Sequence, residues 1–237
     1  MPRINAERLL FSLRRFAKFG AYKTGVHRPT YSREDMESRH WLMIQYEALG
    51  LDASIDGVGN VFGLPSGPKP SLLIGSHAES QNHAGWLDGA LGVIYGLEVA
   101  RAFADAPDCA GLPIAPVAWA DEESHFISLL GSRSYVGDID EGEIDRARNV
   151  YHGQPLRDAL NAAGLAGIPR RQAEPERHVG YLEAHIEQGD SLEATGKRIG
   201  IVTSIVGIWQ YRIVFEGTQN HAGTTRMAIR KDAGVAA

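Results

Sequence analysis

The chain is 237 residues long, 43% hydrophobic and 22% charged, with a net charge of −5 at pH 7. That is enough for one large domain, or one domain and part of another, and the acidic balance argues against a nucleic-acid or anionic-membrane partner. The single cysteine, Cys109, excludes an intrachain disulfide and suits a reducing cytoplasm, no apolar run reaches membrane-spanning length, and Arg3, Glu7, Arg8, Arg14 and Arg15 break up the N-terminus as no signal peptide would.

In chain order, Asn5 can cap a helix whose apolar positions are Leu9, Leu10, Leu13, Phe16 and Ala17. Ser32 offers a second cap, with Glu34 and Asp35 in the first turn, for a helix that stops at Gly50. A short strand at 51–55 and a turn at 56–60 lead to Val61-Phe62-Gly63, and 65–70 is a surface loop. Leu72-Leu73-Ile74 is an apolar strand running into His77. Asp88 precedes a helical pattern from Ala90 to Phe103, and 113–120 is again strand-like, ending at Asp121-Glu122-Glu123. A short helix at 131–137, a polar exposed stretch at 138–148, a helix at 155–163 and a loop at 167–177 follow. Alternation over 179–186 predicts a strand with Tyr181, Glu183, His185 and Glu187 on one face. Strands are predicted at 199–206 and 210–216, and a helix near Lys231.

The strand–helix–strand unit from 72 to 120 makes a parallel pair, and open parallel sheets bind ligands beyond the carboxyl ends of their strands. His77, Asp88 and the acidic pair all fall at that edge. A lone histidine is usually a surface or satisfied core residue, but imidazoles and carboxylates gathered at one edge are the groups that hold Zn²⁺ or a similar divalent ion. An acidic pair is usually a solvated loop. Here it suggests a division of labour, one carboxylate on a metal and its neighbour taking a proton from water.

These motifs resemble the metal-dependent amidohydrolases of the aminoacylase/carboxypeptidase superfamily. Within it the sequence is most similar to the branch of N-carbamoyl-L-amino-acid hydrolases, allantoate amidohydrolases and β-ureidopropionases. The likeness runs through Thr30, Ser32, Asp35, Arg39 and Trp41-Leu42, through Gly59-Asn60, Gly63 and Gly75-Ser76-His77, and through Leu87 to Gly92. It continues with Asp121-Glu122-Glu123, Leu130 to Arg133, His185 to Gly189 and Asn220 to Thr225.

The resemblance implies an α/β fold with a mostly parallel or mixed sheet flanked by helices, like a zinc exopeptidase, over residues 1–207, and the start of a small α+β lid or dimerisation domain over 208–237. It implies hydrolysis of a linear C–N bond in an N-carbamoyl-L-amino acid or allantoate-like substrate. His77, Asp88 and His185 would hold one Zn²⁺ or Mn²⁺, with Asp88 bridging to a second ion ligated by Glu123. Glu122 would be the general base, Glu79 would stand where the family places an Asp that orients the first His, and Gln188 and His221 would contact substrate. A cytoplasmic homodimer is implied as well.

Several positions depart from the family pattern. Glu79 replaces the Asp, and its longer side chain is expected to reach His77 with altered geometry. Ser124 and His125 follow the acidic pair where Gly and often Arg are usual, and Arg226 stands at a common proline position. His83 is read as a loop residue, with a substitute ligand as the alternative. The family's remaining lid residues and last His ligand have no counterpart, which leaves Asp88 and Glu123 alone at the second ion. The expectation is therefore of an N-terminal portion that turns over poorly alone, tends to aggregate, or needs a complementary chain; the alternative to an active hydrolase is an inactive remnant or split-gene half.

Overall fold

The computed structural model describes residues 1–106, 111–174, 176–209 and 211–237. Asn5 and Ser32 start the first two helices as their side chains predict. Helix α1 (Ala6–Phe16) has Asn5 accepting from the Arg8 amide, and α2 (Arg33–Glu47) has Ser32 accepting from the Asp35 amide. Between them lies a small hairpin, β1 (Ala21–Tyr22) and β2 (Gly25–Val26). The main sheet contains β3 (Asp52–Ile55), β4 (Val61–Leu64), β5 (Ser71–His77), β6 (Ile114–Trp119) and β7 (His178–Leu182), in the order β3-β4-β6-β5-β7. Helix α3 (Ala90–Ala104) connects β5 to β6, which pair in parallel, and β7 joins β5 in parallel on its other side. The β3–β4 and β4–β6 pairs are antiparallel, so the expected parallel-or-mixed sheet is mixed.

Alternation along the strands divides the core between the two faces. Val61 and Ala118 look onto α1, α2 and α3, where Leu13, Phe16, Leu42, Tyr46, Val93, Ile94 and Leu97 pack. Phe62, Leu73, Val117 and Trp119 look the other way, toward Tyr135 of α4 (Leu130–Tyr135). The ring pairs Phe62–Trp119 and Phe62–Tyr135 lie 5.8 and 5.3 Å apart, in the range where aromatic pairs attract. A satellite cluster joins Met36, Val58 and Phe126 to α4, α5 (Glu141–Arg146) and α6 (Leu156–Ala162).

The structure corrects several expectations. The stretch 138–148 is not simply exposed: Asp140 caps α5, and Ile144 is buried. The strand expected over 179–186 ends at Leu182, because its ladder with β5 stops at the Ile74–Leu182 pair. Residues 199–209 and 211–216 form no strand, since no other described strand lies opposite to complete their backbone hydrogen bonds. The final helix, α8 (Ala233–Ala236), starts just after Lys231 and follows a 3₁₀ turn at Met227–Ile229; a short α7 (Ser191–Ala194) was not anticipated. Cys109 and Gln210 lie outside the described residues. The chain gathers into two compact units, Met1–Gln188 and Gly189–Ala237. Among the described residues no helix is long and apolar enough to cross a membrane.

One buried side chain ties the sheet to the turn that follows β6. Asn60 donates from Nδ2 to Asp56 and to the Gly131 carbonyl, and its Oδ1 accepts from the Ala120 amide at 3.0 Å. Asn60→Ala orphans the buried Ala120 amide and removes a donor from Asp56 and the Gly131 carbonyl, and is expected to cost about 1–3 kcal/mol in urea unfolding.

Candidate metal centre

Four chain segments supply the centre. His77 is the last residue of β5, Asp88 precedes α3, Glu122 and Glu123 follow β6, and His185 follows β7. Both imidazoles are turned by a backbone carbonyl: Nδ1 of His77 lies 3.1 Å from the Glu79 carbonyl, and Nδ1 of His185 lies 2.9 Å from that of Ile186. A carbonyl only accepts, so Nδ1 carries the proton and Nε2 of the neutral ring keeps its lone pair. Those two Nε2 atoms stand 3.7 and 3.1 Å from the same atom, Asp88 Oδ1. That oxygen is buried and accepts no hydrogen bond, while the other carboxylate oxygen accepts from Gln188 at 2.6 Å.

The structure thus brings His77, Asp88 and His185 together, with ligand atoms all within 4.8 Å of one another. Three electron-pair donors facing one another around an orphaned oxygen are an arrangement that a divalent cation satisfies, and the carbonyl partners of Nδ1 are what oriented metal-binding histidines show. The residues fit the ion.

Glu122 and Glu123 form a second set with His77 rather than with Asp88. Glu122 Oε2 lies 3.7 Å from His77 Nε2, and the Glu123 carboxylate accepts from Gln81 Nε2, which also donates to the Glu123 carbonyl. Glu79 does not hydrogen-bond the His77 ring as expected. Its carboxylate stays 3.8 Å from Nδ1 and instead accepts from the Glu122 amide at 2.6 Å. The extra methylene carries the carboxylate past the imidazole to the neighbouring turn.

Electrostatics follow from this crowding. Burial lowers His77, but the Asp88 carboxylate facing it and the charges of Glu79, Glu122 and Glu123 outweigh it and raise the ring to about 9. The neighbouring His77 ring holds Asp88 below the usual carboxylate range. Burial pushes Glu79 up, yet His77 and Arg39 prevail and leave it depressed. Burial raises Glu122, and Glu123, Glu79 and Glu183 add to this against the opposing pull of His77. A carboxylate with raised proton affinity suits a base working near neutral pH.

The remaining candidates stand elsewhere. His83 stacks between Tyr22 and His27, with ring centroids 4.3 and 4.4 Å away. His125 is buried with Nδ1 on the Thr30 hydroxyl, and neither His83 nor His125 joins a metal-competent set among the described residues. His221 lies in the second unit, where its Nδ1 accepts from the Gly223 and Thr224 amides, so its Nε2 carries the proton and is a donor. Gln81 went unnoticed in the sequence, where an amide in a loop carries no signal. Arg39 was seen only as part of a motif, although its i,i+4 spacing from Asp35 marks an ion pair.

Gly89 is the tightest point in the centre. Its φ is +62°, and a Cβ there would stand 2.4 Å from the His77 ring. Gly89→Ala is expected to displace His77 and lose Zn²⁺ uptake in a dialysis and elemental-analysis measurement, while unfolding remains cooperative. A second expectation concerns protons. An ion must displace the proton that His77 holds up to about 9, so Zn²⁺ affinity by calorimetry should rise about tenfold per pH unit between pH 6.5 and 9. Without metal the sign reverses: a raised pKa stabilises fully below the unfolded value and fades through the folded one. Metal-free Tm should therefore fall across the same window.

The profile of peptidase family M28 matches residues 60–152, which hold the strand–helix–strand unit. An N-carbamoyl-L-amino-acid amidohydrolase of Paenarthrobacter aurescens is 35% identical over 98% of this chain and 58% of its own length. Allantoate amidohydrolase of Bacillus subtilis is 33% identical over 91% of this chain and 54% of its own. A crystal structure of a hydantoinase/carbamoylase family amidase from Burkholderia phymatum superposes with a TM-score of 0.84 at 49% identity, over all of this chain and 58% of that one. The chain spans a little over half the length of the relatives it matches. Over the segment it spans, the chain is similar to hydantoinase/carbamoylase family amidases and N-carbamoyl-L-amino-acid amidohydrolases.

Proposed function

We propose that this protein catalyses metal-dependent hydrolysis of a linear ureido or amide C–N bond, in an N-carbamoyl-L-amino acid or an allantoate-like compound. The observation that carries the reading is the convergence of two imidazole Nε2 atoms on the orphaned Asp88 oxygen, with the Glu122 carboxylate 3.7 Å from one of them. The names of the relatives supply the substrate class. An imidazole and carboxylate set suits Zn²⁺ or Mn²⁺. A bound divalent ion polarises the substrate carbonyl and makes a water acidic enough to attack near neutral pH.

The chain's own residues then move the protons. Glu122 takes a proton as the water oxygen bonds to the ureido carbon, and passes it to the nitrogen that leaves when the C–N bond breaks. His77, Asp88 and His185 keep their electron pairs on one point, and Glu123 would ligate a second ion. Gln188 and His221 are read as substrate contacts. A donor at His221 Nε2 has the chemistry that a developing oxyanion needs.

A second reading, in which turnover requires another copy or a complementary chain, is favoured by one observation. Within residues 201–208, Ile201, Ile205 and Ile208 are 89, 93 and 78% exposed, and exposed apolar side chains gathered in one segment suit an interaction surface. Light scattering separates the readings: an assembly, or a preparation that aggregates, supports it, and a monodisperse monomer with robust turnover contradicts it.

The activity test is to assay N-carbamoyl-amino-acid and allantoate hydrolysis by the Mn²⁺- or Zn²⁺-loaded protein beside Glu122→Gln. The variant should keep its metal and lose about 10²- to 10⁴-fold in kcat. Near-normal kcat in Glu122→Gln would show that the base is another group.

A further inference from the structure

The acidic pair stands on a turn whose backbone does not hold its shape unaided. Asp121 and Ser124 flank Glu122 and Glu123 with φ of +54° and +62°, a left-handed conformation that costs a non-glycine residue about 1 kcal/mol or more. Two buried carboxylates brace the turn. Asp121 braces the far side, accepting from the amides of His125, Phe126 and Ile127. Glu79 braces the near side, accepting from the amide of Glu122 at 2.6 Å and, more distantly, from that of Glu123 at 3.4 Å.

Glu79 is itself held. Its second oxygen accepts from Arg39 Nη2 at 2.9 Å, and neither side chain has any exposure to solvent. Arg39 has no freedom to follow a moving partner. It is paired with Asp35 at 2.9 Å and donates to the carbonyls of Gly59 and Trp119 at 2.8 and 3.2 Å. Trp119 is the last residue of β6, two positions before the turn begins. One guanidinium thus links α2, the β3–β4 connection and the end of β6 to a single carboxylate.

A buried triad of this kind is an expensive way to gain stability, because burying ions costs several kcal/mol each and an apolar set of the same volume is often as stable. What an apolar set lacks is an acceptor for the Glu122 and Glu123 amides. We propose that Arg39 and Glu79 are positioning residues for the acidic pair: Arg39 fixes the Glu79 carboxylate, and Glu79 fixes the backbone from which Glu122 and Glu123 reach toward His77. The Glu79 carboxylate, which in a shorter Asp would serve the imidazole, here serves the base. The inference rests on the proposed hydrolytic role of Glu122 for its consequence, though not for its geometry.

The discriminating variant is Glu79→Asp, which restores the residue expected from the family resemblance and keeps the charge. If Glu79 spans from Arg39 to the turn, the shorter side chain cannot meet both. Amide exchange at Glu122 and Glu123, followed by NMR in the metal-loaded protein, should quicken at least about tenfold relative to the amides of β5 and β6. Zn²⁺ bound through His77, Asp88 and His185 should be retained. With substrate, kcat should fall about 10²-fold, as for a reacting group displaced by an ångström, with KM nearly unchanged. Arg39→Lys keeps the charge but not the fork, and should shift the same two amides in the same direction by less. It also serves if Glu79→Asp does not fold.

Unchanged exchange at Glu122 and Glu123 in the variant that folds overturns the proposal, whatever happens to activity. A fall in kcat accompanied by uniformly faster exchange across the sheet overturns it too, since that marks a general loss of stability. If the unmodified protein shows no ureido hydrolysis, the proposed function fails, and the exchange measurement still decides the role of Arg39 and Glu79.

Discussion

Three electron-pair donors pointing at one another are the constraint on which the rest of this site depends. Nε2 of His77, Nε2 of His185 and Oδ1 of Asp88 come from three separate segments, and each would be repelled by the others without a positive charge among them. A proton on His77 answers the problem in part, which is why that ring holds its proton to about 9. A divalent cation answers it more fully, since it satisfies all three atoms at once. Their convergence therefore has a local energetic cost that the fold must sustain.

The fold sustains it by placing rigid elements under each group. His77 ends a buried strand paired on both sides over much of its length, and α3 packs beneath with Gly92 so close that an added Cβ would lie 2.4 Å from the Ala184 carbonyl. That approach steers the chain after β7 past the start of α3, where His185 meets Asp88. On the other side Asn60 fixes the exit of β6 to the start of α4, and Arg39 and Glu79 hold the turn that bears Glu122 and Glu123. Burial of apolar surface between α1–α3 and the sheet supplies the free energy against which these polar constraints are set.

Much of this was legible in the sequence, for reasons that differ by element. The caps at Asn5 and Ser32 are local chemistry, so α1 and α2 begin where expected. The strand before His77, the helix after Asp88 and the strand before Glu122 show clear apolar patterns, and they place three of the site's segments at one sheet edge. His185 was a different matter. Its alternating neighbourhood reads as strand, but the partner strand β5 ends its pairing at Ile74, and the residues beyond Leu182 leave the ladder. The strands expected after residue 199 fail similarly, because pairing is a property of two segments and the sequence of one does not reveal whether the other is there. Glu79 was legible as a departure but not as a function: nothing local distinguishes a carboxylate that reaches an imidazole from one that reaches the next turn. Gln81 and the carbonyl network around Arg39 depend on contacts 20 to 80 residues away in sequence, which no local pattern encodes.

The central claim is that a single cation sits among His77, Asp88 and His185, bound through Nε2 of both rings. It is tested most directly by crystals of the Zn²⁺-loaded protein, with anomalous diffraction collected on either side of the zinc absorption edge. The account predicts a peak within about 2.0–2.2 Å of His77 Nε2, His185 Nε2 and an Asp88 oxygen, with both Nδ1 atoms still on their carbonyls. Ligation through Nδ1 of either ring, or a peak that leaves His185 or Asp88 outside the ion's coordination, would contradict it.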